Sequence, residues 1–208
     1  MDTPEGVDAR ALLRAEARAG QSQPLLLLVG GPPGSGKSGV AIALGEAAGL
    51  VTLQKDAFKE PLMSALGVES VQDSQRMGTA ALIALYTAAD AVLSRRLDVL
   101  VESTLTRDDL ERIAALQREH RCATLQVHVT AHIDVLAERW QARAGTRHPG
   151  HLDDVRLPEM RRRVEAGTWE PLQLDAPLRC VDTSAGGGFD LAAWLDELRR
   201  TPPAAATR

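Results

Sequence analysis

Eight residues, GPPGSGKS at 31–38, constrain this chain more than any other stretch of it. They meet the pattern G-x-x-x-x-G-K-[S/T] through Gly31, Gly36, Lys37 and Ser38. Glycines let the backbone turn so that several N–H groups point inward at an anion. A helix that starts there adds the positive end of its dipole. The pattern carries weight only between a strand and a helix, and both flanks fit. Residues 25–29 (LLLLV) are a continuous apolar run, as in a strand buried on both faces. Residues 36–48 carry Ala, Leu and Ile at helical spacing. Gly31, Pro32, Pro33, Gly34, Ser35, Gly36, Lys37 and Ser38 therefore read as a phosphate cradle.

The rest of the chain alternates in the same way. Residues 5–20 read as a short helix. Strands are expected at Val51–Gln54, 99–101 (ending at Glu102), 125–129 and 178–181. Helices are expected at 57–66, 73–96, from Asp108-Asp109 to about His120, from about Ile133, at 155–166 with Gly167 as its cap, and at 189–200. Residues 145–153 (GTRHPGHLD) break the helical pattern, and 168–177 read as a loop. Such alternation predicts an α/β domain with a parallel sheet and helices on both faces. Ligands bind beyond the carboxyl ends of such strands, so the glycine-rich loop, Asp56, Glu102 and the residues after Val129 should converge on one rim. The length of 208 residues fits one domain with small extras. These are an N-terminal helical extension at 1–22, the domain at 23–200, and a disordered tail at 201–208.

Composition narrows the class. The chain is 44% hydrophobic but only 3% aromatic, so its core must be aliphatic. A net charge of −4 lacks the basic signature of nucleic-acid binders, and such a partner is not favoured. Two distant cysteines, Cys122 and Cys180, give neither metal spacing nor a disulfide framework. With no apolar signal region before residue 24 and no long continuous apolar run, a cytoplasmic protein without a membrane span is expected. Arginine outnumbers lysine 21 to 3, and Lys37, Lys55 and Lys59 fall in one short stretch. A GC-rich genome accounts for the ratio; a need for compact point charges accounts for where lysine persists.

Other phosphate-loop classes lack their markers here. There is no Asn-Lys-x-Asp guanine-reading segment and no Leu-Ser-Gly-Gly-Gln signature, and the chain is short for an oligomeric motor. Small kinases remain. LLLLVGGPPGSGKS, then LQKDAFKEPL, then VLVEST, then ERWQARAGTRHPGH resembles the P-loop kinases of the zeta-toxin, chloramphenicol phosphotransferase and polynucleotide kinase-like group. Within that group the chain is most similar to bacterial AAA-type ATP-binding kinase-like proteins. The resemblance covers about residues 25–185. It implies a three-layer P-loop NTPase fold with a five-stranded parallel sheet of order 2-3-1-4-5, and an arginine-bearing lid at about 139–155. It implies ATP and Mg²⁺ as cofactors.

Lys37 is expected on the β- and γ-phosphates and Ser38 on Mg²⁺. The resemblance also implies that Asp56 is the acceptor-side carboxylate, and phosphoryl transfer agrees, since an acceptor hydroxyl must be oriented and lose a proton. A helix-capping role for Asp56 is the competing reading. Glu102, beside the loop strand in the implied order, is a candidate for Mg²⁺ (through water) or substrate, and Lys59 for substrate. Arg139, Arg143 and Arg147 recur every four residues; if helical, they share a face that stabilises phosphoryl charge. Arg143 and Arg147 best fit the lid arginines of the resembled group, and Arg139 is placed with the nucleotide. His148 and His151, flanking Pro149-Gly150, read as substrate contacts or turn residues. Thr183 and Ser184 fall where such kinases contact adenine.

The expectation is an ATP-dependent phosphotransferase acting on a hydroxyl of a small molecule. Rival readings are a polynucleotide 5′-hydroxyl kinase, for which Lys55, Lys59 and Arg76 would line a basic channel, a toxin-like sugar-nucleotide kinase, and a regulatory ATPase without an acceptor. Neither the acceptor nor the oligomeric state is legible in the sequence.

Overall fold

The computed structural model describes residues 8–143, 145–186 and 188–201, with no account of the side chains at 154 and 155. The tail expected at 201–208 lies, beyond Thr201, outside the described residues. The elements are α1 (Ala9–Glu16), β1 (Leu25–Gly30), α2 (Lys37–Ala48), β2 (Val51–Gln54), α3 (Lys55–Leu66), α4 (Val71–Leu93), β3 (Val99–Glu102), α5 (Leu110–His120), β4 (Ala123–Thr130), α6 (Ile133–Arg143), α7 (Asp153–Glu165), β5 (Leu178–Asp182) and α8 (Leu191–Arg200). All strand pairs are parallel, in the order β2-β3-β1-β4-β5. This is the strand order that the family resemblance implied.

Strand β1 is buried throughout because it is central and covered on both faces. Its alternate residues enter different cores. Leu25, Leu27 and Val29 pack with Leu13 of α1, Val40 and Leu44 of α2, and Trp194 and Leu195 of α8. Leu26 and Leu28 pack with Leu85, Ala89 and Leu93 of α4 and Ile113 of α5. Each such side chain contributes about 2 kcal/mol when fully buried. A third, smaller cluster joins α6 to α7 through Leu136, Ala137, Trp140, Met160 and Trp169. Helix α4 is long and apolar enough to cross a membrane by length and composition alone, yet its buried stripe of Ala81, Leu85, Ala89 and Leu93 lies on the sheet.

The N-terminal helix is fastened at the foot of the central strand. Asp98, 4% exposed, accepts from Arg10 Nε (2.8 Å), Arg14 Nη1 (2.8 Å) and the Leu25 amide (2.7 Å). One carboxylate thus ties α1, the start of β1 and the approach to β3 together, and these bonds hold its pKa below the usual carboxylate range although burial alone would raise it.

Candidate active site

The phosphate-binding loop runs from the end of β1 into α2. Gly31 has φ +139°, and a Cβ there would stand 1.9 Å from the Val129 carbonyl oxygen. Only glycine allows the loop to leave the sheet so close to β4. Ser35 donates its amide to the Pro32 carbonyl (3.2 Å), closing the loop on itself. From behind, Thr183 Oγ1 donates to the Ser35 carbonyl (2.9 Å). Arg139 donates to Thr183 Oγ1 (2.8 Å), the Thr183 carbonyl (2.7 Å) and, at 3.4 Å, the Gly34 carbonyl. Arg139 and Thr183 therefore brace the loop, with their polar atoms turned to its backbone. Gly36, Ser38 and Gly39 are exposed on the open side.

Lys37 lies 3.9 Å from Glu102 Oε1, and Gln54 Nε2 donates to the other carboxylate oxygen at 3.5 Å. Glu102 is 4% exposed. Burial pushes its carboxyl above the usual range, against the pull of Lys37 and, more weakly, of Gln54 and Ser38. Burial likewise pushes the Lys37 ammonium down, with Glu102 and then Asp56 opposing. The Ser38 hydroxyl beside a buried carboxylate, at the mouth of a glycine-rich loop, is a hard-oxygen set that suits Mg²⁺.

Opposite the loop stands Asp56. The sequence allowed it to cap a helix at 57–66. The helix instead begins at Lys55, after the extended residue Gln54, so Asp56 sits in the first turn and its side chain is not the cap. Its carboxylate is ion-paired with Arg147. Burial would raise its pKa, but Arg147 foremost, then His151, Lys37 and Lys55, hold it below the usual range.

The three arginines do not share a helical face. α6 ends at Arg143, and Gly145, at φ +82°, turns the chain, so Arg147 lies beyond the helix. Asp153 brings the last two back together: its Oδ2 is 3.2 Å from Arg143 Nε and 3.3 Å from Arg147 Nη1. Its carbonyl accepts from Trp140 Nε1 (2.7 Å), and the Arg143 guanidinium stacks 4.3 Å above the Trp140 ring. His151 Nε2 lies 3.0 Å from Arg147 Nη2 and 2.9 Å from Glu60 Oε1. It is a buried fastening between this segment and α3, and burial and then Arg147 lower its pKa. His148 makes a turn, accepting the Gly150 amide at 3.1 Å.

Many of these groups line an open cavity of about 400 Å³. Lys37, Asp56, Lys59, Arg143 and Arg147, all marked from sequence, line it together, as does Lys55. All three lysines of the chain thus face one space. Arg76 does not join them; it is exposed and pairs with Asp73 at 3.6 Å. Asp153, Glu60 and Ser74 escaped the sequence reading. An acid ten residues beyond Arg143, or one turn beyond Asp56, carries no local signature. Trp169 packs under Arg163 at 4.8 Å, closing the cavity wall.

Comparison with known proteins agrees with this architecture. A family model described as an AAA domain matches residues 26–166. No curated protein matches the chain. Among solved structures, a protein from Chloroflexus aurantiacus J-10-fl, provisionally described as a kinase, is 34% identical over 86% of this chain and 98% of its own, with a TM-score of 0.76. A gluconokinase from Sinorhizobium meliloti 1021 (22% identity, 87% and 94% covered, TM-score 0.50) shares the fold. So does a sugar kinase from Janibacter sp. HTCC2649 (19%, 87% and 94%, TM-score 0.52).

Proposed function

The chain belongs to the AAA domain family of P-loop proteins, and from that premise we propose that it is an ATP- and Mg²⁺-dependent phosphotransferase that moves the γ-phosphate to a hydroxyl of a small molecule. One observation carries the reading: a carboxylate, Asp56, faces the loop lysine, Lys37, across a small cavity whose remaining wall supplies Arg143 and Arg147. A switch needs the lysine; transfer to a hydroxyl also needs a group opposite it that orients the acceptor, and Asp56 meets that need. The kinase description of the Chloroflexus aurantiacus relative supports the same reading.

In this scheme residues 31–38 hold the phosphates through backbone N–H groups, and Lys37 lies along the β- and γ-phosphates. Ser38, with Glu102 behind it, is the place for Mg²⁺, which when bound neutralises phosphate charge. Asp56 orients the acceptor hydroxyl. As the acceptor oxygen bonds to the γ-phosphorus, the bond to the β-phosphate oxygen breaks and the hydroxyl proton passes to Asp56. A carboxylate with a lowered pKa is a weak base, which suits a loose transition state in which the nucleophile keeps its proton until late. Arg143 and Arg147 stabilise charge on the transferring group. Arg147 must exchange Asp56 for phosphate as it does so, which is the motion expected of a lid at about 139–155. Arg139 acts on the nucleotide through the loop it braces.

Replacing Asp56 with Ala tests this. Transfer to the acceptor falls about a hundredfold or more, while ATP affinity stays within about threefold. Retention of more than about a tenth of the transfer rate removes Asp56 from this role.

A further inference from the structure

The far end of the cavity holds charge that phosphoryl transfer does not use. Lys55 and Lys59 stand one turn apart on α3 and converge on Gly78 of α4. A Cβ on Gly78 would lie 3.7 Å from Lys59 Cε and 4.0 Å from the Nζ of each lysine. Gly78 therefore leaves open the space that the two ammonium groups face. Among the described residues, neither lysine has an acid within ion-pair distance. Lys59 is 6% exposed, and its one hydrogen bond runs to Ser74 Oγ at 3.1 Å. Because that oxygen accepts from Lys59, its own hydroxyl proton is free to donate onward.

This arrangement opposes stability. A buried ammonium without a counter-ion is costly, and two cations in the first turns of a helix oppose its dipole. Burial, then Lys55, lowers the Lys59 pKa to about 8. The missing element is an anion. The loop lysine already has a partner, since Lys37 lies 3.9 Å from Glu102, whereas Lys55 and Lys59 feel Asp56 (and, for Lys55, Asp109 and Glu102) only at longer range. Arg156 is already paired with Glu159 at 3.1 Å, which leaves the lysines as the cations there without a close ion pair among the described residues.

We propose that Lys55, Lys59 and Ser74 form an anion-binding subsite, and that the acceptor is a small hydroxyl compound carrying a carboxylate or phosphate, held there while Asp56 takes its hydroxyl. A cavity of about 400 Å³ suits one such molecule beside the γ-phosphate. This identification of the substrate class rests on the phosphotransferase reading; the anion site itself does not.

The test separates the two. The chain has three lysines, so selective ¹³Cε-lysine labelling gives three signals, assigned by single Lys→Arg variants. With the loop saturated by Mg²⁺ and a non-hydrolysable ATP analogue, inorganic phosphate or acetate is titrated in. The Lys55 and Lys59 signals are expected to move saturably while Lys37 stays fixed; their indifference to both anions overturns the subsite. In parallel, γ-labelled ATP is offered with three- to six-carbon polyols, the matching acids, the matching phosphates, and a 5′-hydroxyl oligonucleotide. Acids or phosphates should be preferred over the parent polyols. Lys59→Met should lower kcat/KM about 10- to 100-fold more for the charged acceptors than for the neutral ones. An equal loss for both, or a preference for polyols or for the oligonucleotide, overturns the substrate class. Lysine signals that respond while no compound receives phosphate sink the transferase reading and leave the anion site standing.

Discussion

The two walls of the cavity are built by different means. The loop wall is backbone. Gly31 lets the chain pass against the Val129 carbonyl, and Thr183 and Arg139 hold the loop from behind by its carbonyls. The opposite wall is side chains. Asp56, Arg143, Arg147, His151 and Asp153 are held by one another across three segments, over a small core of their own. Backbone geometry fixes a ligand whose phosphates never vary. Paired charges can let go of each other, and so suit the half of a site that opens and chooses a substrate.

The sharpest way to break this comparison is Lys37→Ala. Lys37 is the side-chain cation that this wall turns to the cavity, so transfer should fall about a thousandfold with little change in melting temperature. Wild-type activity in a γ-labelled ATP assay would end the scheme. Next comes Asp153→Asn, which keeps the shape but removes the anion shared by Arg143 and Arg147. Steady-state kinetics should show kcat about 10- to 100-fold lower with KM for ATP within about threefold. A rise in KM alone would place these arginines on the nucleotide instead. The smallest effect concerns pH. Lys59 faces Lys55 and Asp56 on α3, Ser74 on α4, Arg156 on α7 and Arg147. Its pKa of about 8 lies below the ordinary 10.5, so the folded protein sheds this proton first and stability gains from Lys59 as pH rises between those values. Anion affinity should run the other way, weakening by at most about tenfold per pH unit above 8. Titration with sulfate, whose charge is constant there, checks this by the same lysine signals.

Legibility followed the same division. The loop and the strand–helix alternation could be read because glycine spacing and apolar runs are local; the sheet order came from the family resemblance. The convergence of Lys37, Asp56, Arg143 and Arg147 was expected from strand ends on one rim. What holds them was not. Asp153 meets two arginines only because Gly145 turns the chain back, and no spacing encodes that. Arg139, expected on the nucleotide itself, turns instead to Thr183, 44 residues away in sequence. The start of α3 at Lys55, two residues earlier than 57, removes the competing cap reading of Asp56 and leaves its side chain on the cavity.

The pairing of Asp56 with Arg147 has a consequence for thrift. A carboxylate already engaged by a guanidinium has little reason to line up a water molecule. In the proposed scheme the acceptor displaces that partner, and only then is there a group to aim a nucleophile at the γ-phosphate. The resting protein would thus hold ATP without wasting it, and the arrival of the right alcohol would be what commits the fuel.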